Sequence, residues 1–139
     1  MVSIKAICVV DDQADYRFLL QQLFNRYLPT YSVQYFDTGY ALLDELTDLT
    51  PKPGLILLDR HMPYFDGHQT LLALKGNSVY KKIPVVMMSA DASALEINGC
   101  YEAGVNSFLL KKPDLQSMKA MLESVCHYWL ETNQKPIEV

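Results

Sequence analysis

The chain has 139 residues, of which half are hydrophobic and 20% are charged, a composition typical of a globular domain rather than a disordered chain. Its net charge of −4 argues against binding to nucleic acid, which requires a basic surface. No apolar run reaches the ~18 residues of a membrane span, and the three cysteines, which have no metal-ligand spacing, are typical of core residues in a reducing compartment. We therefore expect one cytoplasmic domain over residues 1–139, with a core at 4–131 and a tail at 132–139.

Apolar runs and stripes predict an alternation of strands and helices. In chain order, the predicted elements are a strand at 6–10, a helix with its apolar face over 16–27, a strand at 31–36, a helix capped by Thr38 and extending to about 49, a strand at 55–58, a short helix at about 68–75, a strand at 83–88, a helix at about 92–103 that ends at Gly104, a strand at 107–110, and a helix from 114 to about 129. Asp66-Gly67 predicts a turn in which the glycine has a positive φ. Five strands alternating with five helices predict an α/β sandwich with a parallel sheet covered on both faces.

Polar side chains are predicted to meet at one edge of this sheet, because the carboxyl ends of parallel strands lie together and such sheets bind ligands there. The residues at these strand ends are Asp11 and Asp12, Asp59, Ser89, and Lys111 with Lys112. Exposure to water alone explains any one of them. The coincidence of all of them favours a functional site.

Three clustered carboxylates repel one another unless a cation lies among them. Oxygen ligands, with no histidine or cysteine at suitable spacing, suit a hard cation such as Mg²⁺ or Mn²⁺. Mg²⁺ usually binds one or two protein carboxylates and fills the rest of its shell with water and phosphate oxygens. The residues therefore predict a divalent metal site that recruits phosphate.

Two other phosphate chemistries fit poorly. A flavodoxin-like phosphate-binding module needs a loop rich in glycine and hydroxyl groups after the first strand, where this chain has VVDDQAD. A phosphatase of the haloacid dehalogenase type needs a second aspartate two positions after its nucleophile. Gln13 and His61 occupy these positions after Asp11 and Asp59.

The order and spacing of the polar residues resemble the response-regulator receiver domain over residues 4–131. That family has an acidic pair after the first strand, a phosphoacceptor aspartate in a stretch like LDxxMPxxDG, a serine or threonine after the fourth strand and a lysine after the fifth. This chain has VVDDQ, LLDRHMPYFDG, MMSA and FLLKKP in that order. The resemblance implies a flavodoxin-like (βα)5 fold, a doubly wound three-layer sandwich with a five-stranded parallel sheet.

The resemblance also implies a role for each acid. Asp59 resembles the catalytic nucleophile that accepts a phosphoryl group. Asp12 and Asp59 resemble direct Mg²⁺ ligands, with Asp11 binding directly or through water. The backbone carbonyl of His61 would complete the protein's share of the metal ligands.

Ser89 resembles the switch hydroxyl that turns towards the phosphoryl group, and Phe108 occupies the place of the switch aromatic residue. Two lysines compete for the contact with the phosphoryl group. Most receivers have a Lys-Pro dipeptide here, which favours Lys112. In the family the lysine lies seven residues after the glycine that corresponds to Gly104, which favours Lys111 and avoids a one-residue slip. We therefore expect Lys111 in the site.

The resemblance implies a two-component response regulator that receives phosphoryl from a histidine kinase or phosphotransfer protein, with Mg²⁺ or Mn²⁺, and switches conformation to bind a downstream protein. Transfer to its own aspartate, and hydrolysis there, would involve no turnover of an external substrate. The segment HYWLETNQKP and the dense aromatic residues resemble the small stand-alone receivers of phytochrome-type histidine kinases, which makes homodimerisation through the last helices an expectation. The alternative is a pseudo-receiver, an interaction module independent of phosphorylation. The intact set of acids, hydroxyl and lysine favours the response regulator.

Overall fold

The computed structural model describes residues 5–136, so residue 4 of the predicted core and residues 137–139 of the predicted tail lie outside it. Its strands are β1 (Ala6–Val10), β2 (Ser32–Phe36), β3 (Leu55–Asp59), β4 (Val85–Ser89) and β5 (Ser107–Leu110). Its helices are α1 (Ala14–Tyr27), α2 (Gly39–Leu46), α3 (Gly67–Lys75), α4 (Ala94–Glu102) and α5 (Leu115–Cys126), with a 3₁₀ turn at Tyr80–Lys82 and a π-helical turn at His127–Thr132. None of the helices in this part of the chain has the length and apolarity that crossing a bilayer requires.

The five strands form one parallel sheet in the order β2–β1–β3–β4–β5. From β1 the chain moves to one side of the sheet to form β2 and then returns to the other side to form β3. In the register of neighbouring strands, Val10 lies beside Leu58, and Asp59 beside Met88. The reversal of strand order opens a crevice outside the carboxyl ends of β1 and β3, which is where doubly wound sheets bind ligands. The predicted flavodoxin-like architecture is confirmed.

Successive residues of the central strands point to opposite layers of the sandwich. The core between the sheet and α2, α3 and α4 contains the strand residues Cys8, Val10, Ile56, Leu58, Val85 and Met87. The core between the sheet and α1 and α5 contains Ile7, Val9, Leu55, Leu57, Val86 and Met88. The continuous apolar runs are therefore explained by burial on both faces, as in other parallel sheets.

Side-chain caps fix where several helices begin. The Thr38 hydroxyl accepts a hydrogen bond from the backbone N–H of Ala41 (3.0 Å), as the sequence predicted. Ser93 and Glu96 form a reciprocal capping box, which starts α4 at Ala94 rather than at 92. At the other end of α4, Gly104 has φ +99°, the left-handed conformation expected of a glycine after a helix.

The prediction of a positive φ at Gly67 is wrong. Gly67 is the first residue of α3, and Asp66 is its cap, in a reciprocal box with Gln69. A glycine is needed here because of a close approach rather than a turn. A Cβ atom on Gly67 would lie 2.2 Å from the carbonyl oxygen of Asp59 and 2.8 Å from the Cα atom of Arg60. The absence of a side chain therefore lets α3 start directly against the end of β3.

Two more boundaries differ from the prediction, the first of them because of local chemistry. Strand β4 begins at Val85 rather than at 83, since Pro84 has no N–H to donate and contributes only its carbonyl oxygen, which accepts from Ile56 N–H (2.9 Å). Helix α2 ends at Leu46 rather than at Leu49, although the Leu49 side chain still packs, partly buried, against the core.

Candidate functional site

The ends of β1 and β3 bring three carboxylates together. Asp11 and Asp12 follow β1, and Asp59 is the last residue of β3. One carboxylate oxygen from each lies within 4.8 Å of the others. Asp11 is 0% and Asp59 4% exposed, whereas Asp12 is partly buried. The structure thus places the three predicted acids in one cluster at the point where the strand order reverses.

Burial gives Asp59 unusual acid–base chemistry. Loss of water, together with the charge of Asp11, raises the pKa of Asp59 to about 6; Lys111 opposes the rise, and Asp12 adds a smaller contribution to it. The carboxylate is therefore held in a setting where a positive charge is favourable. A bound cation or an approaching ammonium would relieve this penalty.

The two acids after β1 are held differently. One oxygen of Asp11 accepts from Gln13 N–H (2.9 Å) and the other from the ammonium of Lys111 (3.0 Å), while Arg17 donates to the Asp11 backbone carbonyl (2.7 Å). Oδ1 of Asp12 is buried and accepts no hydrogen bond from the described residues. Buried acceptors without a partner are rare and point to a missing ion or water. An oxygen-only donor set with one such oxygen fits a hard divalent cation such as Mg²⁺ or Mn²⁺.

The two adjacent lysines lie in different places. The Lys111 ammonium is 3.0 Å from Asp11 Oδ2 and 3.3 Å from Asp59 Oδ1, and its side chain is 12% exposed. The backbone N–H of Lys111 donates to the Ser89 carbonyl (2.8 Å), so the residue continues the β4–β5 ladder. Lys112 is exposed and lies in a surface groove with Leu109 and residues of α5. The geometry thus follows the register counted from the glycine after α4.

Ser89 and Phe108 lie at the β4–β5 side of the crevice. Ser89 is the buried last residue of β4, and its hydroxyl donates a hydrogen bond to the backbone carbonyl of Asp91. Phe108 is paired with Met87 in the sheet and packs, partly buried, against the core on the α4 side. In this conformation the serine hydroxyl is therefore bound to its own loop rather than to the acids.

The loop after β3 is tied to α4 by charges that sequence reasoning missed. His61 is half-exposed, and its Nε2 lies 3.2 Å from Glu96 Oε2. Arg60 lies 3.1 Å from Asp66 and 3.9 Å from the same Glu96 oxygen. A hydrogen bond at the Ser93 backbone, with His61 and Arg60 nearby, holds the pKa of Glu96 below its usual range. Glu96 was recognisable in sequence only as an ordinary residue of a helix.

Sequence reasoning also missed a contact at Tyr16, which it placed on the apolar face of the first helix. The Lys111 ammonium lies 4.1 Å from the centroid of the Tyr16 ring. The only signal in the sequence is that an aromatic residue lies in the first turn of the helix that follows the acid pair.

The assembled groups are suited to phosphoryl transfer. Asp59 offers an oxygen nucleophile at the rigid end of a central strand. A cation among the acids and the Lys111 ammonium would offset the negative charge that spreads over the phosphoryl oxygens during transfer. Fold and site together define a flavodoxin-like phosphoacceptor domain.

The chain belongs to the response regulator receiver domain family, whose sequence model matches residues 7–123. Response regulator Rcp1 of Synechocystis sp. is 31% identical over 138 residues, which cover 95% of this chain and 93% of that protein. The membership predicted from the four motifs is confirmed.

Solved structures show the same relationship in three dimensions. The phosphorylated cyanobacterial phytochrome response regulator RcpA matches with a TM-score of 0.88 at 26% identity, over 97% of this chain and 100% of that one. The Mn²⁺-bound form of response regulator Rcp1 matches with a TM-score of 0.83 at 29% identity, over 96% and 99% of the two chains. The predicted resemblance to phytochrome-associated receivers is matched by RcpA, which is described as a phytochrome response regulator.

Proposed function

We propose that this response regulator accepts a phosphoryl group on Asp59 from a histidine kinase or a phosphotransfer protein, and that a protein partner recognises the resulting conformation. The observation that carries the proposal is the position of the Asp59 carboxylate. It ends a central strand, lies 3.3 Å from the Lys111 ammonium, and clusters with two further acids at the carboxyl edge of the sheet.

Four groups would hold Mg²⁺ or Mn²⁺ in this site: the carboxylates of Asp11, Asp12 and Asp59, and the backbone carbonyl of His61. The unpartnered oxygen of Asp12 and the raised pKa of Asp59 support this assignment. When bound, the ion supplies positive charge to the acids and to the phosphoryl oxygens. The Mn²⁺-bound form of its relative Rcp1 also supports it.

The transfer step needs little from the protein beyond position and charge. A carboxylate oxygen of Asp59 forms a bond to phosphorus, while the bond from phosphorus to the donor's histidine nitrogen breaks and its electron pair stays on that nitrogen. Lys111 is placed to move from the carboxylates to a phosphoryl oxygen and offset its charge. Hydrolysis by water returns the carboxylate, and no external substrate is turned over.

The switch would act on the β4–β5 side. Ser89 must give up its hydrogen bond to the Asp91 carbonyl before its hydroxyl can reach a phosphoryl oxygen. Phe108 is paired with the strand that carries Ser89 and packs towards α4, so its repacking would carry the change to the surface of α4. Such a population shift requires only a few kcal/mol of differential interaction.

Two further aspects of the function follow from the described surface and core. The three cysteines are free and buried, which fits a reducing compartment such as the cytoplasm.

Leu115 and Tyr128, on α5 and the turn that continues it, are exposed apolar residues, and we assign them to a homodimer contact through the last helices. The molecular mass in solution, measured by light scattering at high protein concentration with and without a phosphoryl mimic, tests this contact. A monomer mass under both conditions would contradict the dimer.

A pseudo-receiver that never binds phosphate is the competing function. It gives no physical reason for burying Asp59 beside two further acids, an arrangement in which burial first, and the charge of Asp11 second, raise the pKa of this carboxylate. A complete set of acids, lysine and hydroxyl therefore favours the phosphorylated switch.

Labelling with acetyl phosphate and Mg²⁺ tests the proposal. The wild-type protein should gain one phosphoryl mass, mapped to Asp59, and the label should disappear without Mg²⁺ or in Asp59→Asn. Asp44→Asn, which removes an exposed charge from α2, is the matched control and should be labelled like the wild type. An undiminished label in Asp59→Asn would contradict the assignment.

A further inference from the structure

The Lys111 ammonium has an aromatic partner as well as its two carboxylates. Its nitrogen lies 3.0 Å from Asp11, 3.3 Å from Asp59 and 4.1 Å from the centroid of the Tyr16 ring. A cation within about 6 Å of a ring face is attracted by the ring's quadrupole, most strongly where water is excluded. Because the Lys111 side chain is 12% exposed, this contact lies in such a place.

The ring itself contacts the neighbouring helix, α5. Tyr16 is the third residue of α1, and its hydroxyl donates to Met118 Sδ on α5 (3.5 Å). Met118 is buried in the core between the sheet and these two helices. The ring packs, partly buried, against this core, and its face lies towards the lysine.

The aromatic contact differs from the two ion pairs in what happens during the reaction. Asp59 becomes an acyl phosphate, whose negative charge lies on the phosphoryl oxygens instead of the carboxylate oxygen that pairs with the ammonium, and Asp11 is a metal ligand in the proposed function. Both ion pairs of the free site therefore change when the site is loaded. The ring has no such change. It is the partner that can hold the ammonium before and after transfer, and it does not compete for the hydrogen bonds that a phosphoryl oxygen accepts.

We propose that Tyr16 is a positioning residue, whose ring face holds the Lys111 ammonium in line for the phosphoryl group. The predicted effect on the reaction rate rests on the proposed phosphorylation of Asp59. The contact between the Tyr16 ring and the Lys111 ammonium does not depend on that proposal. If Tyr16 only filled space between α1 and α5, its effect would depend on the volume of the ring and not on the electron density of the ring face. The two interpretations therefore predict different results for rings of equal shape.

Phosphorylation rates at saturating Mg²⁺ separate the two interpretations. Tyr16→Phe keeps the ring face and should stay close to the wild-type rate. Tyr16→Leu should be about two- to thirty-fold slower, the range expected for loss of a cation–π contact. Phenylalanine carrying one, three or five fluorine atoms at position 16 should slow the reaction in that order, because fluorine withdraws electron density from the ring face. A rate that does not change across the fluorinated series would overturn the proposal, as would a Tyr16→Phe variant as slow as Tyr16→Leu.

A second readout does not depend on phosphorylation. The εCH2 protons of Lys111 should show an upfield ring-current shift in the wild type and in Tyr16→Phe, and lose it in Tyr16→Leu. If the wild-type protein shows this shift but takes no label, the proposed function fails while the contact stands. If the shift is absent, the contact fails whatever the labelling. Should Tyr16→Leu not fold, the fluorinated series decides the question.

Discussion

Replacing Asp59 with asparagine is expected to stabilise the metal-free protein at neutral pH. Burial, reinforced by the charge of Asp11, raises the pKa of Asp59 to about 6 in the folded state. In the unfolded chain an aspartate has a pKa of about 3.9. Below about pH 4 both states are protonated, and the folded state carries no penalty. As the pH rises through about 6, the folded state must hold an ionised carboxylate in an unfavourable place, and stability falls.

The size of the effect follows from the two pKa values. A rise from the ordinary 3.8 to about 6 corresponds to at most about 3 kcal/mol at neutral pH. Relaxation of the protein around the buried charge reduces the effective penalty, so we expect a gain of about 1–2 kcal/mol in Asp59→Asn. For a chain of this length, that corresponds to a rise in Tm of roughly 3–8 °C.

Urea unfolding followed by circular dichroism, with a chelator present, measures this gain across the pH range. The free energy of unfolding of Asp59→Asn should exceed that of the wild type above about pH 6, and the two should converge towards pH 4. The control, Asp44→Asn, removes one exposed negative charge from α2 and should change stability by less than about 0.5 kcal/mol at any pH. The reasoning would be refuted by an equal gain at both ends of the range, or by the same gain in the control.

Other predictions concern the neighbours of Asp59. Lys111→Ala should slow phosphorylation by roughly 100-fold, whereas Lys112→Ala should leave the rate within about twofold of the wild type; the reverse pattern in a labelling assay would show that the Lys-Pro register is correct. Asp12→Ala should weaken Mg²⁺ binding by roughly tenfold or more in calorimetric titration while raising the Tm of the metal-free protein, and equal affinity would remove Asp12 from the ligand set. Gly67→Ala should cost about 1–3 kcal/mol in urea unfolding, because its Cβ would lie 2.2 Å from a carbonyl oxygen of β3. Gly99→Ala, whose Cβ would meet nothing within 4 Å, should instead stabilise α4 by about 0.5–1 kcal/mol.

The sheet and the position of the acids could be predicted from sequence because both depend on short-range patterns. Strands buried on both faces have continuous apolar runs, and parallel strands end at a common edge. These two rules are enough to bring Asp11, Asp59 and a lysine of 111–112 to one place. The choice between the lysines also follows from a local rule, since side chains alternate along a strand and only Lys111 has the inward register.

What could not be predicted depends on how the layers approach one another. The contact between Tyr16 and Lys111 depends on the distance between α1 and the end of β5, which no periodicity encodes. The pairing of His61 with Glu96 similarly depends on the packing of α4 against the loop after β3. The sequence predicted a positive φ at Gly67. The structure shows instead that a side chain at this position would collide with the backbone at the end of β3.

The sheet also acts as a partition through the site. Tyr16, which contacts Lys111, belongs to the α1–α5 layer, whereas Glu96, which holds the loop after Asp59, belongs to the layer of α2, α3 and α4. Under the proposed function, substitutions in the α1–α5 layer would act on the contact with Lys111, and substitutions in the other layer would act on the contact between α4 and the loop after β3. For paralogues that share a cell, such a partition allows recognition to diverge without a loss of chemistry. In protein engineering, mutant libraries can therefore be confined to the residues of a single layer.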